Sequence, residues 1–253
     1  MNNHSVDDLS DYELKIARAH SANFLSSVDP DFADVWRAAK PFTMLSRERL
    51  YDYYSAVTHA ARCDVVGHVV EVGAWSGGGC IAAALAIANA SRYAAGSGLD
   101  SQRIVFGFDT FEGHPPPNRG EVDVWGRDQS LVYSEMAGRP WAKIDYDTCR
   151  RVVDDAVGPR CRVDLIKGLC QETIPVHAPS QISVLRLDVD WYEPTLLSLQ
   201  LLYPRLTVGG VCIVDDFGHH SGARKAFEEY FRTVGLKSKI FHTDYSCISF
   251  QKI

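Results

Sequence analysis

The sequence predicts an α/β protein: a doubly wound, parallel sheet with a terminal antiparallel hairpin and an N-terminal helical extension. Two observations carry this. From His68 onward, short β-branched runs alternate with helical patterns, the signature of strands joined by crossover helices. The chain is also long enough, at 253 residues and 46% hydrophobic, for one such domain with additions.

Residues 7–62 read as helical. Leu9, Tyr12, Leu14, Ile16 and Ala17 recur at loose helical spacing, and 47–61 is an amphipathic run carrying Leu50, Tyr51, Tyr54, Val57 and Thr58. Asp29-Pro30 and Lys40-Pro41 break this extension (1–62) into pieces. The run 68–73 is a buried strand ending in glycine, 76–79 a turn, and 80–90 an alanine-rich helix. A second strand covers 103–109. Residues 111–147, with three consecutive prolines at 115–117, several glycines and the aromatics Trp125, Tyr133 and Trp141, read as an inserted lid. Beyond it come a helix at 148–157, strands at 162–166 and 182–187, and a helix at 195–203 ended by Pro204. A strand at 210–214 and a helix at 222–233 follow. The hairpin pairs 238–242 with 246–252 around Asp244.

Composition narrows the partners. A net charge of -6 lacks the basic footprint of a nucleic-acid binder and suits anionic membranes poorly. No stretch approaches the ~18 apolar residues of a membrane span, and the polar, acidic start is unlike a signal peptide. The seven scattered cysteines, with no C-x-x-C pair, read as reduced thiols of a cytoplasmic protein.

In doubly wound sheets ligands bind beyond the carboxyl ends of the strands. Four of the five ends here carry acids: Glu71, Asp109, Asp188 with Asp190, and Asp215 with Asp216. In Glu71-Val72-Gly73-Ala74-Trp75-Ser76-Gly77, a dinucleotide fingerprint would want glycine where Trp75 stands, and Glu71 would repel a pyrophosphate. The ammonium and sulfonium of S-adenosylmethionine would instead favour a carboxylate. Asp109 has the place of an acid that accepts both ribose hydroxyls, or of a helix N-cap. Asp188, Asp215 and Asp216 lie at adjacent strand ends, where clustered carboxylates call for a cation; an all-oxygen set favours magnesium or another hard ion. Solvated acids capping the following helices are the plainer alternative. His219 and His220 lie just beyond.

Leu187-Asp188-Val189-Asp190-Trp191-Tyr192-Glu193-Pro194-Thr195, Leu202-Tyr203-Pro204-Arg205-Leu206 and the run Gly209 to Gly218 resemble the macrocin O-methyltransferase family, as do Phe108-Asp109-Thr110-Phe111-Glu112-Gly113 and Ile166-Lys167-Gly168. The resemblance runs from about 68 to 233. It implies a class I S-adenosylmethionine-dependent methyltransferase fold (Rossmann-like) over 63–253, a Mg2+ requirement, and a sugar hydroxyl on a glycosylated small molecule as acceptor. By motif, Asp188, Asp215 and Asp216 are implied as metal ligands. Glu71, Gly73, Ser76, Asp109 and Asp188 are implied as cofactor contacts. Gly168-Leu169-Cys170-Gln171 resembles the adenine-side loop of catechol-type methyltransferases, which adds Gly168 and Gln171. Helical extensions in such families often serve homo-oligomers.

The inferred reaction is an in-line displacement at the sulfonium methyl. The lysine that catechol-type relatives carry three positions after the first metal aspartate is Trp191 here, and Asp190 is the first candidate for the base, or a residue that orients the site. Two other readings stay open: a phenol as acceptor, and a non-catalytic module that binds an adenosyl ligand without metal.

Overall fold

The computed structural model describes residues 29–92, 102–136 and 142–253. The expected helical residues Leu9, Tyr12, Leu14, Ile16 and Ala17, and the lid residue Trp141, lie outside them. The extension contributes α1 (Pro30–Ala39) and α2 (Arg47–Arg62). The Asp29 side chain caps α1 by accepting from Phe32 N–H at 3.2 Å, and Ser46 caps α2 by accepting from Arg49 N–H at 3.2 Å.

Seven strands form one sheet in the order β3-β2-β1-β4-β5-β7-β6. Strands β1 (His68–Val72), β2 (Ile104–Asp109), β3 (Arg162–Lys167), β4 (Ile182–Leu187) and β5 (Leu206–Val214) are parallel. The last two, β6 (Phe241–His242) and β7 (Ile248–Gln251), are antiparallel to their neighbours. The helices after the extension are α3 (Gly78–Ala90), α4 (Gln129–Glu135), α5 (Tyr146–Val157), α6 (Cys170–His177), α7 (Tyr192–Leu202) and α8 (Ser221–Val234). Two differences from the sequence reading stand out. The lid carries a helix of its own, α4, and the loop expected on the adenine side runs directly into α6.

Period-two alternation sends successive strand residues to opposite faces. Val69, Val105, Val184 and Ile213 join α1, α2, α3 and α5 in one core. Val70, Val72, Leu185, Leu187 and Val214 join α7 and α8 in the other. Helix α3 is buried nearly all round, which explains its run of alanines. No helix among the described residues is long and apolar enough to cross a membrane, and none of the seven cysteines is in a disulfide.

The strand order reverses between β1 and β4, so the crevice forms there. Gly73 sits at its lip with φ 96°, and a Cβ on it would lie 1.8 Å from the Asp188 carbonyl oxygen. Only glycine allows β1 and β4 to part so narrowly. Gly73→Ala is expected to lower stability by more than about 1 kcal/mol, since both the backbone conformation and the space exclude a side chain. Denaturant unfolding reads this directly, and an unchanged midpoint would contradict it.

Candidate active site

The carboxyl ends of the strands open into a cavity of about 880 Å³. On the β1–β2 side, Asp109 is half-buried and uses both oxygens: Oδ2 accepts from Trp75 N–H at 2.8 Å and Oδ1 from Phe111 N–H at 2.7 Å. Trp75 has φ 43°, the conformation a glycine would supply in a dinucleotide fold, and the Asp109 hydrogen bond accompanies it. Each Asp109 oxygen keeps a further lone pair for a ligand in the cavity that Asp109 lines. Burial raises the Asp109 carboxyl pKa despite those two amides. Gly168 and Gln171 line the same wall, and Gly168 N–H donates to the Asp109 carbonyl at 2.9 Å.

The β4–β5 side holds the acid cluster, and here the structure adds a residue the sequence reading missed. Arg186, 1% exposed, is the register partner of Glu71 on β1. Its guanidinium donates to Glu71 Oε1 at 2.6 Å, to Asp188 Oδ2 at 2.8 Å, and to Asp215 Oδ2. Arg49, placed at the third position of α2 by the Ser46 cap, donates to Asp215 Oδ1 at 2.7 Å and to Asp244 Oδ2 at 2.6 Å. The two arginines therefore supply, from within the protein, part of the positive charge that the clustered acids require.

Glu71 and Ser76 are the two sequence-picked residues that do not line the cavity. The Glu71 side chain lies beneath it, on the face of the sheet shared with Arg186, and also accepts from Cys80 Sγ at 3.1 Å. Gly79 leaves room for it, since a Cβ there would meet Glu71 Oε1 at 2.1 Å. Burial pushes the Glu71 carboxyl up to about 7 even with Arg186 beside it. The Glu71 carboxylate, bonded to Arg186 and Cys80, is therefore placed to support the acids of β4 and β5 from below. Ser76 is buried in the turn before α3. Gly73, Asp109, Gly168, Gln171, Asp188, Asp190, Asp215 and Asp216 all line the cavity.

Among the described residues neither Asp190 nor Asp216 pairs with an arginine, and their two carboxyls lie within hydrogen-bonding reach of each other. Asp216 Oδ2 is buried with no hydrogen-bond partner. Burial, then Asp190, Asp188 and Asp215, push its pKa well above the usual carboxylate range. Asp188, Asp215 and Asp216 bring one ligand oxygen each within 4.8 Å of the others. A divalent cation fits this donor set: each acid tied by arginine keeps oxygen lone pairs free, and the orphaned Asp216 oxygen gains a partner.

Asp190 stands apart in conformation. Its φ is 60°, uncommon for a residue with a side chain and typical of functional sites. A tight turn holds it, with Trp191 N–H donating to the Val189 carbonyl at 2.6 Å. Burial would raise the Asp190 pKa, but His114 and His220 outweigh that and hold it below the usual range. Their Nε2 atoms lie 3.5 Å and 3.7 Å from Asp190 Oδ2. Burial lowers the His220 pKa, which favours the neutral imidazole.

The lid is anchored by its own acids. Glu121 accepts from Tyr192 N–H at the start of α7, at 3.3 Å to each oxygen. Gly222 makes room for that carboxylate, since a Cβ there would lie 2.0 Å from Glu121 Oε2. Val122 and Ser221 exchange two hydrogen bonds, of 2.8 and 2.9 Å. Asp123 binds the Trp125 and Arg127 amides at 2.9 and 3.0 Å, closing the loop on itself. Trp191, in the place of the catechol-type lysine, ties the lid to β4: its indole N–H donates to the Pro115 carbonyl at 3.0 Å, and its ring meets His114 and His220 edge-on.

The comparison with known proteins decides the family. Residues 14–252 match the model described as Macrocin-O-methyltransferase (TylF). The chain belongs to the macrocin O-methyltransferase family. It is 30% identical over 206 residues to the mycinamicin III 3''-O-methyltransferase of Micromonospora griseorubida, covering 80% of this chain and 75% of that one. It is 27% identical over 221 residues to the demethyldecarbamoylnovobiocin O-methyltransferase of Streptomyces niveus, covering 85% and 77%. Among solved structures, the O-methyltransferase NovP superposes with a TM-score of 0.71 at 25% identity, over 83% of this chain and 82% of that one. The calicheamicin methyltransferase CalS11, at 18% identity and a TM-score of 0.60 over 99% and 98%, shares the fold. As a member of this family, the chain is an S-adenosylmethionine-dependent O-methyltransferase.

Proposed function

We propose that this enzyme methylates a sugar hydroxyl of a glycosylated natural product in a reaction that requires magnesium. The relatives named above act, by their names, on mycinamicin III and on demethyldecarbamoylnovobiocin. The observation that carries the metal reading is the orphaned, buried Asp216 oxygen beside Asp188 and Asp215.

Asp188, Asp215 and Asp216 would hold the cation, which when bound polarises the acceptor hydroxyl and lowers its pKa. Arg186 holds Asp188 Oδ2, and Arg49 and Arg186 hold the two oxygens of Asp215, so these ligands are set in place before anything binds. Asp109 accepts from the cofactor ribose, and Gly73 lets the ligand approach the backbone of β1. Gly168 and Gln171 flank the adenine. Asp190, flanked by His114 and His220, takes the hydroxyl proton on its carboxylate. The anchored lid orients the acceptor and excludes water.

The lid's surface favours a glycoside. Tyr133 and Met136 line the cavity beside polar residues such as Asn118 and Gln129, giving both apolar and hydrogen-bonding walls for an amphipathic acceptor. A competition assay tests the acceptor: a glycosylated natural product, its aglycone and a simple catechol at equal concentration. The glycoside should take the labelled methyl group. Efficient methylation of the catechol or the aglycone, with the glycoside untouched, would overturn the sugar assignment.

A further inference from the structure

We infer that the cavity holds a second cation site, formed by Asp190, Asp216 and His220 and suited to a transition metal of the zinc or cobalt type. One ligand atom from each of the three lies within 4.8 Å of the others. The site differs in kind from the all-oxygen group next to it, because it contains an imidazole. Carboxylate and imidazole together suit zinc, cobalt or nickel, whereas magnesium prefers oxygen and water.

Two observations point to a ligand rather than to a self-contained cluster. The first is an unmet polar demand. Asp216 is 9% exposed and its Oδ2 has no hydrogen-bond partner. His220 Nε2, the ring nitrogen that faces Asp190, stands too far from it for a good hydrogen bond. The second is spacing. Asp190 Oδ2 stands 3.7 Å from His220 Nε2 and 3.5 Å from His114 Nε2. Both distances exceed a good hydrogen bond. Both are near the ~3.3 Å that separates two ligands on a tetrahedral zinc with bonds of about 2.0 Å. His114 lies outside the three-residue group and flanks it through Asp190.

Asp216 belongs to both groups, so the two positions are contiguous. A zinc ion here would also occupy Asp190 and Asp216 and so block methyl transfer. That consequence rests on the roles proposed above for those two aspartates; the binding itself does not.

The test is a titration of the metal-free protein with Co2+ in excess magnesium, followed by visible absorption and equilibrium dialysis, then displacement by Zn2+. One cobalt per chain should bind with the intense visible bands of tetrahedral coordination, and zinc should displace it. His220→Ala and Asp190→Asn should each weaken cobalt binding by at least about 10-fold, the scale on which ligand-shell changes alter metal affinity. Calorimetric binding of S-adenosylhomocysteine, measured on the same variants, confirms that they are folded. Cobalt bound only with the weak spectrum of six-coordinate oxygen ligation, or bound equally well by both variants, would overturn the site. Failure of the magnesium reading would show differently, as methyl transfer that survives chelation, a measurement in which neither His220 nor Asp190 is changed.

Discussion

Arg186→Met is expected to lower the stability of the folded protein by about 3–5 kcal/mol, the cost of breaking a buried ion pair from one side. The guanidinium is the shared partner of Glu71, Asp188 and Asp215, and removing it leaves their charges facing one another under the sheet. Urea unfolding followed by circular dichroism would measure the loss. Glu71→Gln on top of Arg186→Met should recover part of it, because one uncompensated buried charge disappears; the two sites are in contact and should not behave additively. A midpoint for Arg186→Met within about 0.5 kcal/mol of the wild type, as for an ordinary surface change, would mean that these acids are neutral in the folded state.

Asp190→Asn is expected to reduce the catalytic rate by about 10²–10⁴-fold while leaving S-adenosylhomocysteine binding unchanged. Asparagine preserves the size of the side chain and removes its capacity to take a proton. The left-handed backbone at 190 also suits asparagine, so the turn should survive. Single-turnover kinetics with labelled cofactor separates this from a defect in product release. An unaltered rate would remove the proton-accepting role from Asp190.

These two residues show what the sequence displays and what it conceals. The strand ends were legible because each run of β-branched residues stops at an acid or a glycine, and that punctuation needs only local information. Of the residues singled out on that basis, those at the ends of β2, β4 and β5 reach the cavity. Glu71 carried the same signal but sits one residue inside β1, on the face opposite Val70 and Val72, and the alternation sends its side chain beneath the site. Its partner Arg186 lay in plain view, a charged residue within the apolar run Ile182–Leu187. Such a residue in a central strand signals a buried pair, but the pair becomes visible only with the β1–β4 register that sets Arg186 against Glu71. Arg49 was hidden for a similar reason. The Ser46 cap that starts α2 is readable, whereas its contact with Asp215, 166 residues away, is not. The lid was recognisable as an insertion from its prolines and glycines. Its anchors, Glu121 on α7 and Val122 on Ser221, depend on partners 71 and 99 residues later, beyond any periodic pattern.

Arginine support also changes how the metal ligands are best tested. Asp215→Ala would remove one carboxylate partner from each of Arg49 and Arg186 along with a cation ligand, mixing a stability defect with a metal defect. Asp216 has no arginine partner among the described residues, so Asp216→Asn is the cleaner substitution. The central claim is that methyl transfer depends on a cation held by Asp188, Asp215 and Asp216. The most direct measurement is transfer of labelled methyl from S-adenosylmethionine to a glycosylated acceptor, with and without excess chelator, by the wild type and by Asp216→Asn. Turnover should vanish in chelator, return with magnesium in the wild type, and stay absent in the variant while S-adenosylhomocysteine still binds. Full wild-type turnover in excess chelator would contradict it.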